Sequence, residues 1–500
     1  MCDRERERER QKDRAMSRVR VVLLHLDLGI GGAERLVVNV ALALLALGHE
    51  VTILTTHHDV AHCFEETRGD GPLAGLVTVV GDWLPRQIFG YGTALCSHLR
   101  MIYATLWCIL QPNIPALVLL DGVSTPVPLF LGARIPTIFY CHYPDLLLCS
   151  SSRSSMLGRC YRFVLDTAEE WTTACATSIL VNSIFTRETF RRTFPDLAHI
   201  PTVLYPTLEE EQHCDQVISA TNRQLPDYLI PRVATAESVN LFVSLNRYER
   251  KKRIELALQA FSLLKKDSPT GKRKNLLVIA GGFDERVLEN VQYLGELQAV
   301  ATAIGLRWQG GADSNAAAVG LNHDTDVIFR VSISASERES LLAYTSALLY
   351  TPENEHFGIV PLEAMRAGAP VIAVNNGGPV ETILHGKTGY LCVQTPDSFA
   401  SAMKLLATTE EEEEADEDAR VSYIVKSKAS LAMGKAGQAH VSEHFTAKAM
   451  QDGLNLCISN TLACKISRLQ KVYGLKCLAV VVAFIASLFS ILVCFFCSIL

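Results

Sequence analysis

Three observations predict an α/β fold built as two doubly wound domains. Short β-branched and leucine-rich runs alternate with longer helical stretches along most of the chain. That rhythm breaks once, where Pro206, Pro226 and Pro231 punctuate a polar stretch over 206–240, and then restarts. At 500 residues the chain is also about three to four times a typical single-domain length.

Residues 1–17 alternate basic and acidic side chains and read as a charged flexible tail. Without an apolar core they are no secretory signal, so the bulk of the chain is expected in the cytosol. Val19–Leu28 is a buried parallel strand by composition. Gly29 to Glu34 then opens a helix running to Leu47, and Gly48 stops it. Strands follow at 51–55, 117–120, 137–140 and 179–182, which places an N-terminal Rossmann-like domain at 18–205. After the linker 206–240, runs at 241–245, 275–280, 347–350 and 370–374 define a second α/β domain, 241–450. Segments 265–274, 310–326 and the acidic run 409–418 read as solvated surface insertions. Two open sheets facing across a cleft would gather ligands at the carboxyl ends of their strands.

The C-terminus has a different character. Leu478–Leu500 is twenty-three residues without a charge, long enough as a helix for the roughly 30 Å hydrocarbon layer. A transmembrane anchor is predicted there. Lys465, Arg468, Lys471 and Lys476 make 451–477 a basic juxtamembrane segment that keeps the preceding mass cytosolic. The apolar stretch 101–120 is broken by Gln111-Pro112-Asn113 and Pro115, and reads as helix, turn and strand. Net charge is −6, but removing the eight acids of 410–418 leaves +2, which gives no reason to expect nucleic-acid binding. Fifteen cysteines scattered without CxxC pairs argue for reduced thiols over a disulfide framework or a zinc module.

The chemistry gathers in three places. Gly29-Ile-Gly-Gly-Ala-Glu34 follows a strand and opens a helix, yet Glu34 occupies the third glycine of a dinucleotide fingerprint, so a nicotinamide or flavin site is not expected. Gly31 and Gly32 still leave backbone N–H groups for a phosphate. After the strand 241–245 comes a basic turn, Asn246 to Arg253, in which Arg247 and Lys252 could hold a diphosphate and take the electrostatic role often given to a metal ion. Third, Asn354 to Glu363 sets Glu355 and Glu363 eight positions apart around a glycine turn. Pro361 suits the first helical position, which leaves Glu355 in the loop and Glu363 in the first turn.

These blocks make the chain recognisable. GGAE, NRYERKK and the E-x7-E element EHFGIVPLE followed by NNGGPVE resemble retaining, nucleotide-sugar-dependent glycosyltransferases of family 4, with the GT-B fold of two Rossmann-like domains. FYCHYPDLLL, ILVNSIFT, SLNRYERKK, VIAGGFDERVLENV and LYTPENEHFGIVPLEAM narrow the likeness to the α-1,3/1,6-mannosyltransferases of asparagine-linked glycosylation, discontinuously from about Val19 to Phe445. The resemblance implies transfer of mannose from GDP-mannose to dolichyl-diphosphate-linked Man1GlcNAc2, first α-1,3 and then α-1,6, to give Man3GlcNAc2. It places the enzyme at the cytosolic face of the endoplasmic reticulum membrane, with other early mannosyltransferases of the pathway as candidate partners, and requires no metal or other cofactor.

By the same resemblance Glu363 bonds the ribose hydroxyls, and Glu355 lies near the sugar of the donor. Arg247 and Lys252 clamp the diphosphate, Phe357, Gly358 and Ile359 offer backbone N–H groups, and His142 in CHYPD sits beside the transferred sugar. Retention without an enzymic nucleophile is then open, the leaving diphosphate taking the acceptor proton; Glu355 as covalent nucleophile is the rival. Two other functions remain: a transferase of the same fold with another nucleotide sugar and lipid, or a silent membrane-anchored binder of lipid-linked sugar. His57, His58, His62 and Cys63 have ligand chemistry but no tetrahedral spacing, so loop packing is expected. Trp83, Phe89, Tyr91 and Trp107 read as core, with a lipid-facing groove as the alternative.

Overall fold

A computed structural model describes residues 18–88, 92–148, 156–208, 226–229, 238–267, 273–312, 324–407, 424 and 426–464. The acidic run 409–418, the predicted anchor 478–500 with its basic flank from Lys465, and Phe89 and Tyr91 lie outside the described residues. The chain divides into two units: residues up to 209 together with those from 447 onward, and the contiguous stretch 210–446.

The first unit holds a sheet of β1 (Arg20–His25), β2 (Glu50–Thr55), β3 (Val77–Val79), β4 (Leu117–Asp121), β5 (Thr137–Cys141), β6 (Ser178–Val181) and β7 (Thr202–Val203) in the order β3-β2-β1-β4-β5-β6-β7. Every pairing is parallel. Both faces are covered, so β4 and β5 are buried along their whole length and carry no polar alternation. The helix Gly32–Ala46 packs one face through Leu36, Val37, Val40 and Leu44. On the other, Met101, Ala104 and Cys108 of the helix Thr93–Leu110 are buried with Phe130 and Phe139. That helix is long and apolar enough to cross a membrane by composition alone, but a turn after Leu110 returns the chain to β4, as the prolines require.

The second unit repeats the plan with β8 (Ser238–Leu245), β9 (Arg273–Gly281), β10 (Trp308–Gly311), β11 (Val327–Val331), β12 (Ala347–Tyr350), β13 (Val371–Val374) and β14 (Gly389–Cys392), ordered β10-β11-β9-β8-β12-β13-β14 and again parallel throughout. The four expected strands are present and three more flank them. β10 and β11 border the stretch 310–326 that sequence assigned to a surface insertion; Gly310 and Gly311 are sheet, and Asp326 is buried against Lys265 and the Arg307 backbone. They escaped notice because two glycines and a polar flank mask a strand whose pairing comes from its neighbour.

One difference is larger. Where sequence ended the second domain at 450 and began a juxtamembrane segment, Ala447–Ala463 forms a helix of the first unit. Met450, Leu454, Cys457 and Ile458 recur at helical spacing and bury themselves in the core beneath Val21, Val37 and Leu204. Thr461 adds a hydroxyl contact with Ser178 at 2.7 Å.

Candidate active site

The strand order reverses between β1 and β4 in the first sheet and between β8 and β12 in the second, and side chains at the carboxyl ends there face a natural crevice. Nearly every predicted site residue stands at one of these two reversals.

At β8 and β12 the basic turn meets the E-x7-E loop. Lys252 Nζ lies 2.5 Å from Glu355 Oε2, and both side chains are largely buried. The Tyr350 hydroxyl, at the end of β12, also donates to Glu355. Burial pushes the Glu355 carboxyl up, but Lys252, His356 and Tyr350 together outweigh it and hold the group below its ordinary range. Thr351 Oγ1 donates to the Lys252 carbonyl at 2.7 Å, which ties the basic turn to the strand carrying the glutamate. Arg247 is 62% exposed and lies beside Glu249 at 3.0 Å, with its stem crossing Gly282. A diphosphate could recruit it without breaking a buried contact.

The loop from 352 to 358 is propped from behind by NNGGPVE. The Gly378 N–H donates to the Glu355 carbonyl at 2.7 Å, and Asn354 N–H to Asn376 Oδ1 at 2.9 Å. A Cβ at Gly378 would stand 2.4 Å from the Phe357 Cα, so only glycine permits this approach. Gly358 takes φ +86°, and the helix Ile359–Arg366 begins directly after it. Pro361 is therefore the third helical residue and Glu363 the fifth, two positions later than sequence placed them. The shift is tolerated because the first helical N–H groups have no intrahelical partner for proline to remove. Phe357, Gly358 and Ile359 do form the N-terminal edge of that helix, and Phe357 packs its ring against Phe445. Glu363 is paired with Arg338 at 3.1 Å, a partner sequence did not single out.

At β1 and β4 the arrangement is tighter. His25 closes β1, Asp121 closes β4, and His142 follows β5 by one residue. Asp121 Oδ2 lies 2.8 Å from His25 Nδ1, and its Oδ1 2.7 Å from His142 Nε2. Glu34 stands behind His25 at 3.9 Å. Burial disfavours a charged His25, yet Asp121 and Glu34 outweigh it and lift the ring to about 10. Burial likewise penalises the Asp121 carboxylate, and the two histidines overcome it and hold the group well below its usual range. His25 and Asp121 were missed by sequence; the signal available was a titratable residue ending each buried run, VVLLH and LVLLD. Gly32 opens the adjoining helix with clear space above it, whereas a Cβ at Gly31 would meet the Glu34 carboxylate at 2.2 Å.

The other candidates resolve as packing or surface. His57 pairs with Asp82 at 2.8 Å, His58 with Thr67 at 3.2 Å, and Cys63 is buried; among the described residues no group of three or more His, Cys, Asp or Glu could hold a metal ion. Trp83, in a turn and edge-on against Tyr103, and Trp107 are exposed and not core as predicted; the inner face of the helix that carries Trp107 is filled by smaller side chains.

Each unit also matches a family of known proteins. Residues 229–421 match the family model described as glycosyl transferases group 1, and 30–207 the model described as glycosyltransferase family 4. The chain is 41% identical to "Alpha-1,3/1,6-mannosyltransferase ALG2" of Rhizomucor pusillus over 86% of its own length and 89% of the relative's. It is 40% identical to the Homo sapiens protein of the same description, covering 87% and 94%. Among solved structures, sucrose-phosphate synthase of Thermosynechococcus elongatus superposes with TM-score 0.58 at 16% identity over 90% of this chain and 100% of that one. The catalytic domain of starch synthase IV of Arabidopsis thaliana gives 0.59 at 12% over 90% and 100%. These structures share the GT-B fold of two Rossmann-like units. The chain belongs to the α-1,3/1,6-mannosyltransferase family of glycosyltransferases.

Proposed function

We propose that this α-1,3/1,6-mannosyltransferase takes mannose from GDP-mannose and adds it, α-1,3 and then α-1,6, to dolichyl-diphosphate-linked Man1GlcNAc2 in N-glycan precursor synthesis. The reaction belongs at the cytosolic face of the endoplasmic reticulum membrane. The carrying observation is the Lys252–Glu355 pair at the β8/β12 reversal, with Arg247 beside it on the same basic turn.

Departure of GDP develops negative charge on its β-phosphate, and cations already fixed there lower that barrier without a metal ion. Lys252 and Arg247 fill this role. Glu363, in the first turns of a helix, accepts hydrogen bonds from the ribose hydroxyls, and the N–H groups of Phe357, Gly358 and Ile359 meet the phosphate or the mannose. Glu355 is tied by both Lys252 and Tyr350, which favours orienting the sugar over covalent attack. The leaving diphosphate then accepts the proton of the incoming hydroxyl on the face it departs from, and configuration is retained. In the first unit His142 meets a substrate hydroxyl.

The test is incubation of the detergent-solubilised full chain with GDP-mannose and synthetic lipid-linked Man1GlcNAc2, with products identified by mass and linkage. Man2 and Man3 species whose rate of formation at sub-saturating GDP-mannose falls about tenfold in Glu363→Ala support the reading. GDP binding without transfer would point to a different acceptor, and absence of GDP binding would sink the donor assignment.

A further inference from the structure

Of the buried chain His25–Asp121–His142, the sequence motifs singled out only His142. Three strands adjacent in the sheet deliver all three: Asp121 lies beside Tyr140 in register, one step from Cys141 and two from His142. His142 is fixed on three sides. Its carbonyl accepts from Asn182 Nδ2 at 3.1 Å, its ring is tilted against Tyr140 with centroids 5.0 Å apart, and its Nε2 meets Asp121. Tyr140 is itself anchored to the Leu204 carbonyl at 2.9 Å. Asp121 is 3% exposed and His25 8%, but His142 keeps 26% of its side chain open, and its Nδ1 makes no hydrogen bond among the described residues.

We propose that Asp121 and His25 are positioning residues for His142. Asp121 accepts the Nε2–H, so Nδ1 carries the lone pair and receives a hydrogen bond from a hydroxyl of the sugar substrate. His25 satisfies the other oxygen of the Asp121 carboxylate and so fixes that carboxylate in place. An ionised carboxylate this deep needs compensation from both sides, and two histidines flanking one aspartate provide it while leaving only one of them open. The titratable groups facing the chain are Glu34 behind His25, Tyr140 and Cys141 on β5, and Glu169 near Cys141; burial keeps the phenol and the thiol protonated. This inference rests on the mannosyl-transfer reading.

The test uses the full-length protein in the transfer assay with four variants, Asp121→Asn, His25→Gln, His142→Ala and the Asp121→Asn/His142→Ala pair. Asp121→Asn should lower kcat about tenfold with the KM for GDP-mannose unchanged, in keeping with the usual cost of removing an orienting partner. On the His142→Ala background the same change should cost under about twofold, because its target is gone. An equal loss on both backgrounds would show that Asp121 only supports the fold. The split between kcat and KM separates the roles further: a loss carried by the KM for GDP-mannose in Asp121→Asn would overturn the positioning role. Should Asp121→Asn fail to melt cooperatively, His25→Gln with and without His142→Ala carries the same cycle. An unmodified protein that binds GDP but transfers no mannose would refute the functional reading itself, whereas normal transfer with uncoupled variants refutes the positioning role alone.

Discussion

At the β1/β4 reversal the charged groups are sealed in, Asp121 and His25 being almost wholly buried, while at β8/β12 Arg247 stands 62% exposed and Arg338 44%. The same sheet architecture thus supplies two kinds of site. Sealed charges keep one protonation pattern and fix a ring. Open ones remain free to exchange a carboxylate neighbour for an incoming phosphate. Lys252 lies between these extremes, 13% exposed yet paired with a glutamate beside the same crevice.

The largest break in this comparison should come from Lys252→Ala, which strips the anchor from Glu355 and a cation from the leaving group. We expect kcat to fall about a hundredfold, the scale of losing one preorganised electrostatic partner, as read in single-turnover transfer. Retained turnover would remove Lys252 from the mechanism. Next, Glu363→Ala should weaken GDP-mannose binding about tenfold with kcat little changed, since a ribose contact is made equally in ground and transition states; calorimetric titration with GDP checks it. Gly378→Ala should cost about 1 to 3 kcal/mol by forcing the NNGGPVE prop off Phe357. Thermal melting measures that loss, and an unchanged Tm would mean the loop yields.

A further expected effect is on the pH dependence of stability. His25 has a folded pKa of about 10 against an ordinary 6.5, so its contribution is full below 6.5 and is lost as pH rises toward 10. Glu355 is lowered, so its contribution is present above the ordinary carboxylate value and is lost as pH falls through the folded one. The first unit should therefore soften on the alkaline side through His25 and, through the lowered Asp121 carboxylate, at strongly acid pH, and the second on the acid side. His25→Gln should flatten the Tm decline between pH 7 and 9.5, and an equal decline in both proteins would contradict the assignment.

The second site was legible in sequence because its parts are contiguous. EHFGIVPLE carries both carboxylates with the glycine that aims them, and NRYERKK carries both cations. His25 and Asp121 are 96 residues apart and meet only because parallel register sets the ends of β1 and β4 side by side. Arg338 was hidden similarly, its partner Glu363 lying on a different helix. Strands β10 and β14 owe their existence to a pairing neighbour more than to their own apolar content. The helix 447–463 was misassigned because its periodicity is modest and it is followed by a basic run that invites a different reading.

That helix has a consequence for how the protein is made. As the chain leaves the ribosome, the segment 210–446 emerges whole and has all of its own strands before synthesis ends. The first unit must wait. Until Met450, Leu454, Cys457 and Ile458 arrive, an apolar face beside Val37 and Leu204 stays wet, at a cost of about 6 to 12 kcal/mol for four such side chains. The half of the enzyme translated first is therefore the half completed last, and a nascent chain stalled short of residue 447 is the form in which chaperone capture and degradation should concentrate.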